Sequence, residues 1–247
     1  VPSLTVGQTI GNWPDVAVPP GNPITPDKVL LGKALFFEEQ LSADDTMACA
    51  TCHLPEAGGG EARPPGRHPG RDGALDTEDD ELGSTGVVRQ DRAGEYRRDT
   101  RFGFSPQSTD RNSPSAYGAA FYDALFWDKR AGQVFRDLEG NVVLPEFAAL
   151  ETQAVAPLTS HVEMSNEART WEAITTKLAA ARPLALAHEL PAELAAFLRA
   201  RKSERPEYLG YGKRPDPQGD RRWQPSPAYA AAMAELLAVD DPVTRAI

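Results

Sequence analysis

The chain has 247 residues, 40% of them hydrophobic, with 26 Lys and Arg against 36 Asp and Glu for a formal net charge of −10. That length and apolar content suffice for one or two domains with a real core, and the negative charge argues against nucleic acid and anionic membranes while allowing a basic protein partner. No segment approaches the roughly eighteen apolar residues of a membrane-spanning helix, and Val1-Pro2, with neither Met nor an apolar leader, reads as the start of a processed form.

Where apolar residues recur they do so with a helical period, and no stretch shows the sustained alternation of a half-buried strand. Pro26 opens a predicted helix over 27–37, in which Val29, Leu30, Lys33, Ala34 and Phe37 suit one helical run. Beyond it stands Cys49-Ala50-Thr51-Cys52-His53. Cys-x-x-Cys-His is the attachment signature of a c-type haem: two thiols add across the haem vinyl groups and the adjoining imidazole is held where it can bind iron.

Two other uses of a cysteine pair fit less well. Zinc would need two further ligands, and the remaining His68, His161 and His188 lack the short His-to-His spacing of such sites. A thioredoxin-like pair would follow a strand and open the helix of a βαβ unit, whereas Cys49 follows a helical run. Cys49 and Cys52 are the only cysteines, so one covalent haem c accounts for both. Bacterial haem attachment takes place outside the cytoplasmic membrane, which implies a periplasmic location.

Residues 55–111 are crowded with Gly, Pro, Asp, Glu and Arg and read as a long surface excursion with little core of its own. Within it, the acidic stretch Asp72 to Glu81 surrounds an Asp-Gly turn and invites a calcium reading. An EF-hand loop would also need ligands at the positions of His68 and Gly70, so a solvated acidic loop is the better expectation. Apolar content returns over 116–127, 170–181 and 191–200, where Pro191 is placed to begin a helix. A Pro, Arg and Gly-rich connector over 203–226 precedes a last helical run over 228–239. The expected class is mainly α with long loops.

Several ordered blocks carry a family resemblance. Leu31-Gly32-Lys33-Ala34-Leu35-Phe36-Phe37, Leu41-Ser42-Ala43-Asp44, the Cys49–His53 motif, Arg111-Asn112-Ser113-Pro114-Ser115, Phe126-Trp127-Asp128-Lys129-Arg130 and Val162-Glu163-Met164 together resemble the bacterial di-haem cytochrome c peroxidase and MauG family. Their spacing fits too, with Asn112 fifteen residues before Trp127 and Gln153 ten before Glu163. The resemblance spans roughly 24–170. It implies a cytochrome c-like haem domain with long loops and extra helices over 24–182, interrupted by the 55–111 insertion. An extension over 1–23 would precede it, and helices and a connector over 183–247 would follow.

The resemblance also implies roles. His53 would be the haem-iron ligand on the side away from substrate, with an acceptor for its other ring nitrogen. Glu163 would move a proton from one oxygen of hydrogen peroxide to the other before the O–O bond breaks. Gln153 would orient bound peroxide or water, and Pro157 would narrow the pocket. Trp127 would relay an electron between two haems, the commoner use of such a residue being a core anchor. Asn112 would help to hold a calcium ion between two haem domains.

Some positions depart from the family pattern. There is no second Cys-x-x-Cys-His, although peroxide reduction takes two electrons, so the second would come from a side chain such as Trp127 or from a haem on a partner domain or chain. Electrons would enter from a small cytochrome or cupredoxin, and a homodimer or hetero-oligomer is compatible with that arrangement. Residues 69–110 hold no His that could close the iron, which favours the MauG-like arrangement with Glu163 over an accessible site. Lys129 stands at a family Gly, and extra residues lie between Arg130 and Gln153. The rival function is a non-enzymatic c-type cytochrome whose haem is closed by His161, His68 or Met164.

Overall fold

The computed structural model describes residues 15–61, 67–137, 140–181 and 183–185. The helical runs expected over 191–200 and 228–239 lie outside these residues. Within them the expectation of a mainly α protein is overturned: four short helices share the chain with eight strands of two to four residues, paired in four antiparallel two-stranded ladders. Seven of these strands have only two or three residues, below the four or so that a period of two needs to show, and the four-residue pattern of Thr85–Val88, Thr-Gly-Val-Val, does not alternate.

Helix α1, Pro26–Phe36, begins as the sequence implies. Thr25 caps it by accepting from the Lys28 amide at 3.3 Å, and Pro26, which has no amide proton to leave unpaired, takes the first turn. Helix α2, Cys49–Cys52, is a single turn. The apolar stretch over 116–127 forms no α-helix. In its place a 3-10 turn, Ala119–Phe121, enters from Gly118 at φ +79°, and the chain then extends. Helices α3, Ala149–Val155, and α4, Trp171–Ala180, follow, the latter capped by Thr170, whose hydroxyl accepts from the Ala173 amide at 3.2 Å.

The main core joins α4 to the segment leading into α2, to Val87 and to the 158–164 loop. Ile174 and Leu178, one helical turn apart, are 1% and 3% exposed and pack with Leu41, Met47, Val87, Leu158, Met164 and Ala181. Burying two such side chains contributes roughly 3–6 kcal/mol. The same helix also fixes the turn leading to α2, since Lys177 Nζ donates to the Ser42 and Ala43 carbonyls at 2.6 and 3.0 Å and pairs with Asp45 at 2.6 Å. Nearby, Arg169 Nη1 donates to the Leu41 carbonyl at 2.7 Å.

The excursion is not confined to the surface. It folds as β1 (Arg67–His68) with β2 (Glu81–Leu82), and β3 (Thr85–Val88) with β4 (Pro106–Ser108). Val87 of β3 is 1% exposed in the main core. His68 is buried edge-on to Phe102, with its Nδ1 accepting from the Gly70 amide at 3.2 Å. The acidic stretch does behave as an exposed loop, its carboxylates accepting from its own backbone: Asp79 from the Arg71 and Asp72 amides, Asp80 from the Asp76 amide.

Four further strands follow: β5 (Ala124–Leu125) with β6 (Ala131–Gly132), and β7 (Phe135–Arg136) with β8 (Val142–Leu144). The last ladder builds a second small core of Phe135, Leu144 and Ala148, against which Val155 of α3 packs. Buried Glu151 of α3 accepts from Asn22 Nδ2 at 2.9 Å, and Lys28 Nζ of α1 donates to Asn22 Oδ1 at 2.6 Å, tying the two helices together.

Candidate functional site

Helix α2 sets Cys49 and Cys52 three residues apart on one turn, with His53 at its end donating its amide to the Cys49 carbonyl at 2.9 Å. Thr51 Oγ1 accepts from the Ala48 amide at 2.9 Å and closes the start of the turn. The imidazole of His53 is aimed by two backbone carbonyls, Nδ1 lying 3.1 Å from Gly59 O and 3.0 Å from Pro114 O. A nitrogen facing two acceptors is the one suited to carry the ring proton, which leaves the Nε2 lone pair as the one able to bind a metal. Neighbours that take water from the Cys49 thiol push it up to about 11, a burial that costs a thioether sulfur nothing because it has no proton to lose. The donor set therefore fits a haem held by two thioether bonds and one imidazole.

The setting of Cys52 and His53 draws on the Arg111–Ser115 block. Ser113 Oγ donates to the Cys52 carbonyl at 2.5 Å, the Ser113 amide donates to Ser84 Oγ at 2.8 Å, and Ser115 Oγ donates to the Gly58 carbonyl at 2.5 Å. Gly59 has φ +77°, and a Cβ there would meet Tyr117 at 3.1 Å and the Ala116 nitrogen at 3.2 Å. Only glycine lets the 54–60 turn bring its carbonyl to His53 without strain.

The other expected residues follow one another through consecutive turns. Half-buried Gln153 lies in α3, Pro157 in the 3-10 turn Ala156–Thr159, and the Ser160 carbonyl then gathers the amides of Glu163, Met164 and Ser165 at 3.1, 3.1 and 2.9 Å. Glu163 is half-buried and pinned on both flanks: Val162 O accepts from the Val87 amide at 3.0 Å, and Met164 O from the Ala43 amide at 2.8 Å. Strand β3 joins the two halves. Cys52 Sγ lies 3.2 Å from Thr85 O, and at the next residue, Gly86, the nearest backbone is that of Val162 and Glu163. The Cys49–His53 turn and the Glu163 loop thus meet on adjacent strand residues, about 3.8 Å apart along the chain.

Trp127 lies elsewhere. It is 79% exposed, with the Arg111 guanidinium 4.7 Å from its ring centre, so it is no core anchor. Asp128 pairs with Arg111 at 2.7 Å and Arg130 at 2.9 Å, and Arg130 stacks over Phe126. The Arg111 hydrogen bond, helped by Arg130, holds the Asp128 carboxyl down at about 2. Asn112, the residue after Arg111, is exposed. Among the described residues no three His, Cys, Asp or Glu side chains gather as a metal site, the acidic loop included. A cavity of about 250 Å³ lies between α1 and α3, lined by Val18, Val29, Phe147 and Leu150 with Asn22 and Glu151, apart from the haem motif.

Comparison with known proteins places these features in a lineage. The sequence profile described as di-haem cytochrome c peroxidase matches residues 26–190. The chain belongs to the di-haem cytochrome c peroxidase family. It is 47% identical over 118 residues to the cytochrome-c peroxidase IdrP1 of Denitromonas iodatirespirans, covering 48% of this chain and 22% of that protein. It is 30% identical over 147 residues to the methylamine utilization protein MauG of Methylorubrum extorquens, covering 60% of this chain and 27% of that one. The MauG of Methylophilus methylotrophus is 28% identical over 169 residues, covering 68% of this chain and 35% of that protein. The chain thus matches about a fifth to a third of the length of these relatives, and its family is one whose cofactor is haem.

Membership in the di-haem peroxidase family gives the Arg111–Ser115 block a local meaning, because Ser113 and Pro114 are the residues that hold Cys52 and His53. Residue type in that block points to Asn112, whereas the two residues after it, Ser113 and Pro114, act through a hydroxyl and a backbone carbonyl. The backbone acceptors Gly59 O and Thr85 O leave no mark in residue type, since every residue carries a carbonyl. Gln107, whose Nε2 donates to His161 O at 2.9 Å, sits inside the excursion that was read as surface.

Proposed function

We propose that this chain carries the peroxide-reducing haem domain of a di-haem peroxidase, over residues 24–182, in the periplasm. Hydrogen peroxide accepts two electrons and two protons and leaves as two waters. Haem c would be held by Cys49 and Cys52, with His53 Nε2 as its iron ligand, and when bound would supply the redox chemistry of the reaction. Glu163 takes the proton from one peroxide oxygen and returns it to the other, making the departing oxygen a water rather than a hydroxide. Gln153 orients the peroxide with its amide, and Pro157 limits the space beside it.

Electrons reach the site from a second haem-bearing domain or chain, itself fed by a small cytochrome or cupredoxin, with Trp127 on the path. The exposure of Trp127 supports that direction, because a relay toward a partner has to reach the surface. Asn112, which is exposed, is the proposed calcium ligand, with the remaining oxygens coming from the partner domain.

The observation that carries this reading is the meeting of the Cys52 turn and the Glu163 loop on β3. Two ligands available to a closed, electron-carrying cytochrome have other engagements: Met164 is 4% exposed in the main core, and His68 is buried against Phe102. The test is Glu163→Gln in the haem-loaded protein. Stopped-flow absorbance after mixing with peroxide should show O–O cleavage slowed by about 10²–10⁴-fold, and a rate equal to wild type refutes the role.

A further inference from the structure

Gly86 stands where no side chain can. A Cβ at this position would lie 1.8 Å from Val162 O, 2.8 Å from Val162 C and 3.5 Å from Glu163 Cα. These are backbone atoms, which cannot swing aside as a side-chain end would. Gly86 is not among the residues of positive φ, so glycine is required here for close approach and not for conformation.

The strand is shaped to make that approach. Thr85 pairs with Ser108 and Val88 with Pro106, so Gly86 and Val87 together oppose Gln107 alone, a bulge in the ladder. Gln107 is 6% exposed, and its Nε2 bridges the Val87 carbonyl at 3.2 Å and the His161 carbonyl at 2.9 Å. The Val87 amide completes the clamp on Val162 O at 3.0 Å. Three successive residues of the distal loop, His161, Val162 and Glu163, are therefore placed by Gln107, Val87 and Gly86, while Thr85 sits beside Cys52.

We infer that Gly86 and Gln107 are positioning residues that set the reach of the Glu163 carboxylate, an inference resting on the proton-transfer role proposed for Glu163. Gly86→Ala forces Val162 O to retreat by about 1 Å or more and carries Glu163 with it. A displacement of that size can cost about 10²-fold in rate. Gln107→Met keeps the bulk and removes the clamp, and slows the reaction by roughly 10-fold.

The experiment compares wild type, G86A, Q107M, E163Q and the two double variants, all as haem-loaded full chains. Peroxide cleavage is followed by stopped flow, and exchange of the Val87 amide by hydrogen–deuterium mass spectrometry. The expected result is slower cleavage and faster Val87 exchange in G86A and Q107M, with no further loss of rate when either is combined with E163Q, since both changes then act through the same carboxylate. Wild-type rates in G86A and Q107M, beside a slow E163Q, overturn the inference and leave the role of Glu163 standing. Equal slowing of G86A with and without Glu163 also overturns it, as a merely structural effect. A wild-type rate in E163Q removes both. If G86A does not fold, Q107M and its double variant decide the matter by the same criteria.

Discussion

The Cys49–His53 turn and the Trp127 surface are held in opposite ways. Around Cys49, Cys52, His53 and Glu163 the geometry is set by backbone carbonyls, amides and the absence of a side chain at Gly86. Around Trp127 it is set by charged side chains, with Asp128 between Arg111 and Arg130 and two guanidiniums over aromatic rings. Backbone contacts define positions tightly because neither partner has rotamers to lose, while exposed ion pairs are screened and contribute little. The interior should be intolerant and chemically stable, the exterior tolerant and responsive to solution conditions.

The sharpest break of that contrast is a cavity behind the interior. Ile174→Ala removes a side chain that is 1% exposed in the core supporting Leu41, Met47 and Met164, and unfolding by urea should show a loss of about 2–5 kcal/mol. Ser113→Ala tests the carbonyl clamp itself. It leaves the Cys52 carbonyl without its 2.5 Å donor, at a cost of about 1–2 kcal/mol in the same assay, and a haem absorption spectrum unlike wild type would show the cradle loosened.

On the exterior the effects are smaller, and one has the opposite sign. Lys129, at the position of a family Gly, has φ +56°, and Phe126 across the same turn has φ +67°. A left-handed non-glycine residue costs roughly 1–2 kcal/mol, partly offset by the greater freedom of glycine in the unfolded chain. Lys129→Gly should therefore stabilise by about 0.5–1 kcal/mol, read as a higher thermal midpoint. The smallest effect is an acid titration. The folded carboxyl of Asp128 is depressed to about 2, below its unfolded value of about 3.9. Its contribution is complete above the upper value and is lost as pH falls through the lower one. Trp127 fluorescence, taken as the difference from Trp127→Phe, should change near pH 2 and stay flat above about 4, and Asp128→Asn should abolish the transition.

How much of this was legible in the sequence follows the same division. The capped helices α1 and α4 could be read, because Thr25-Pro26 and Thr170 announce their starts and apolar residues recur at helical spacing. Cys49, Cys52 and His53 could be read because their chemistry is carried by residue type. The strands could not, since two to four residues give no period, and Val87-Val88 was the sole apolar hint of β3 within a polar stretch. The acceptors of His53 could not be foreseen either: Gly59 and Pro114 act through carbonyls, one of them sixty-one positions away. The family resemblance places Trp127 between haems, while its exposure to solvent comes only from the tertiary structure. The left-handed turn at Lys129 was visible only as a residue out of place.

The long reach of these contacts has a further consequence, for the order of assembly. His53 meets Pro114 across 61 residues, Cys52 meets Thr85 across 33, and Lys177 meets Ser42 across 135, whereas α2 itself closes within five. Local turns form early in folding, and distant pairings wait until the chain entropy of large loops has been overcome. The turn bearing the two sulfurs therefore takes shape before the walls around it do, which gives a bulky prosthetic group a period of open access that ends when β3 and Ser113-Pro114 dock.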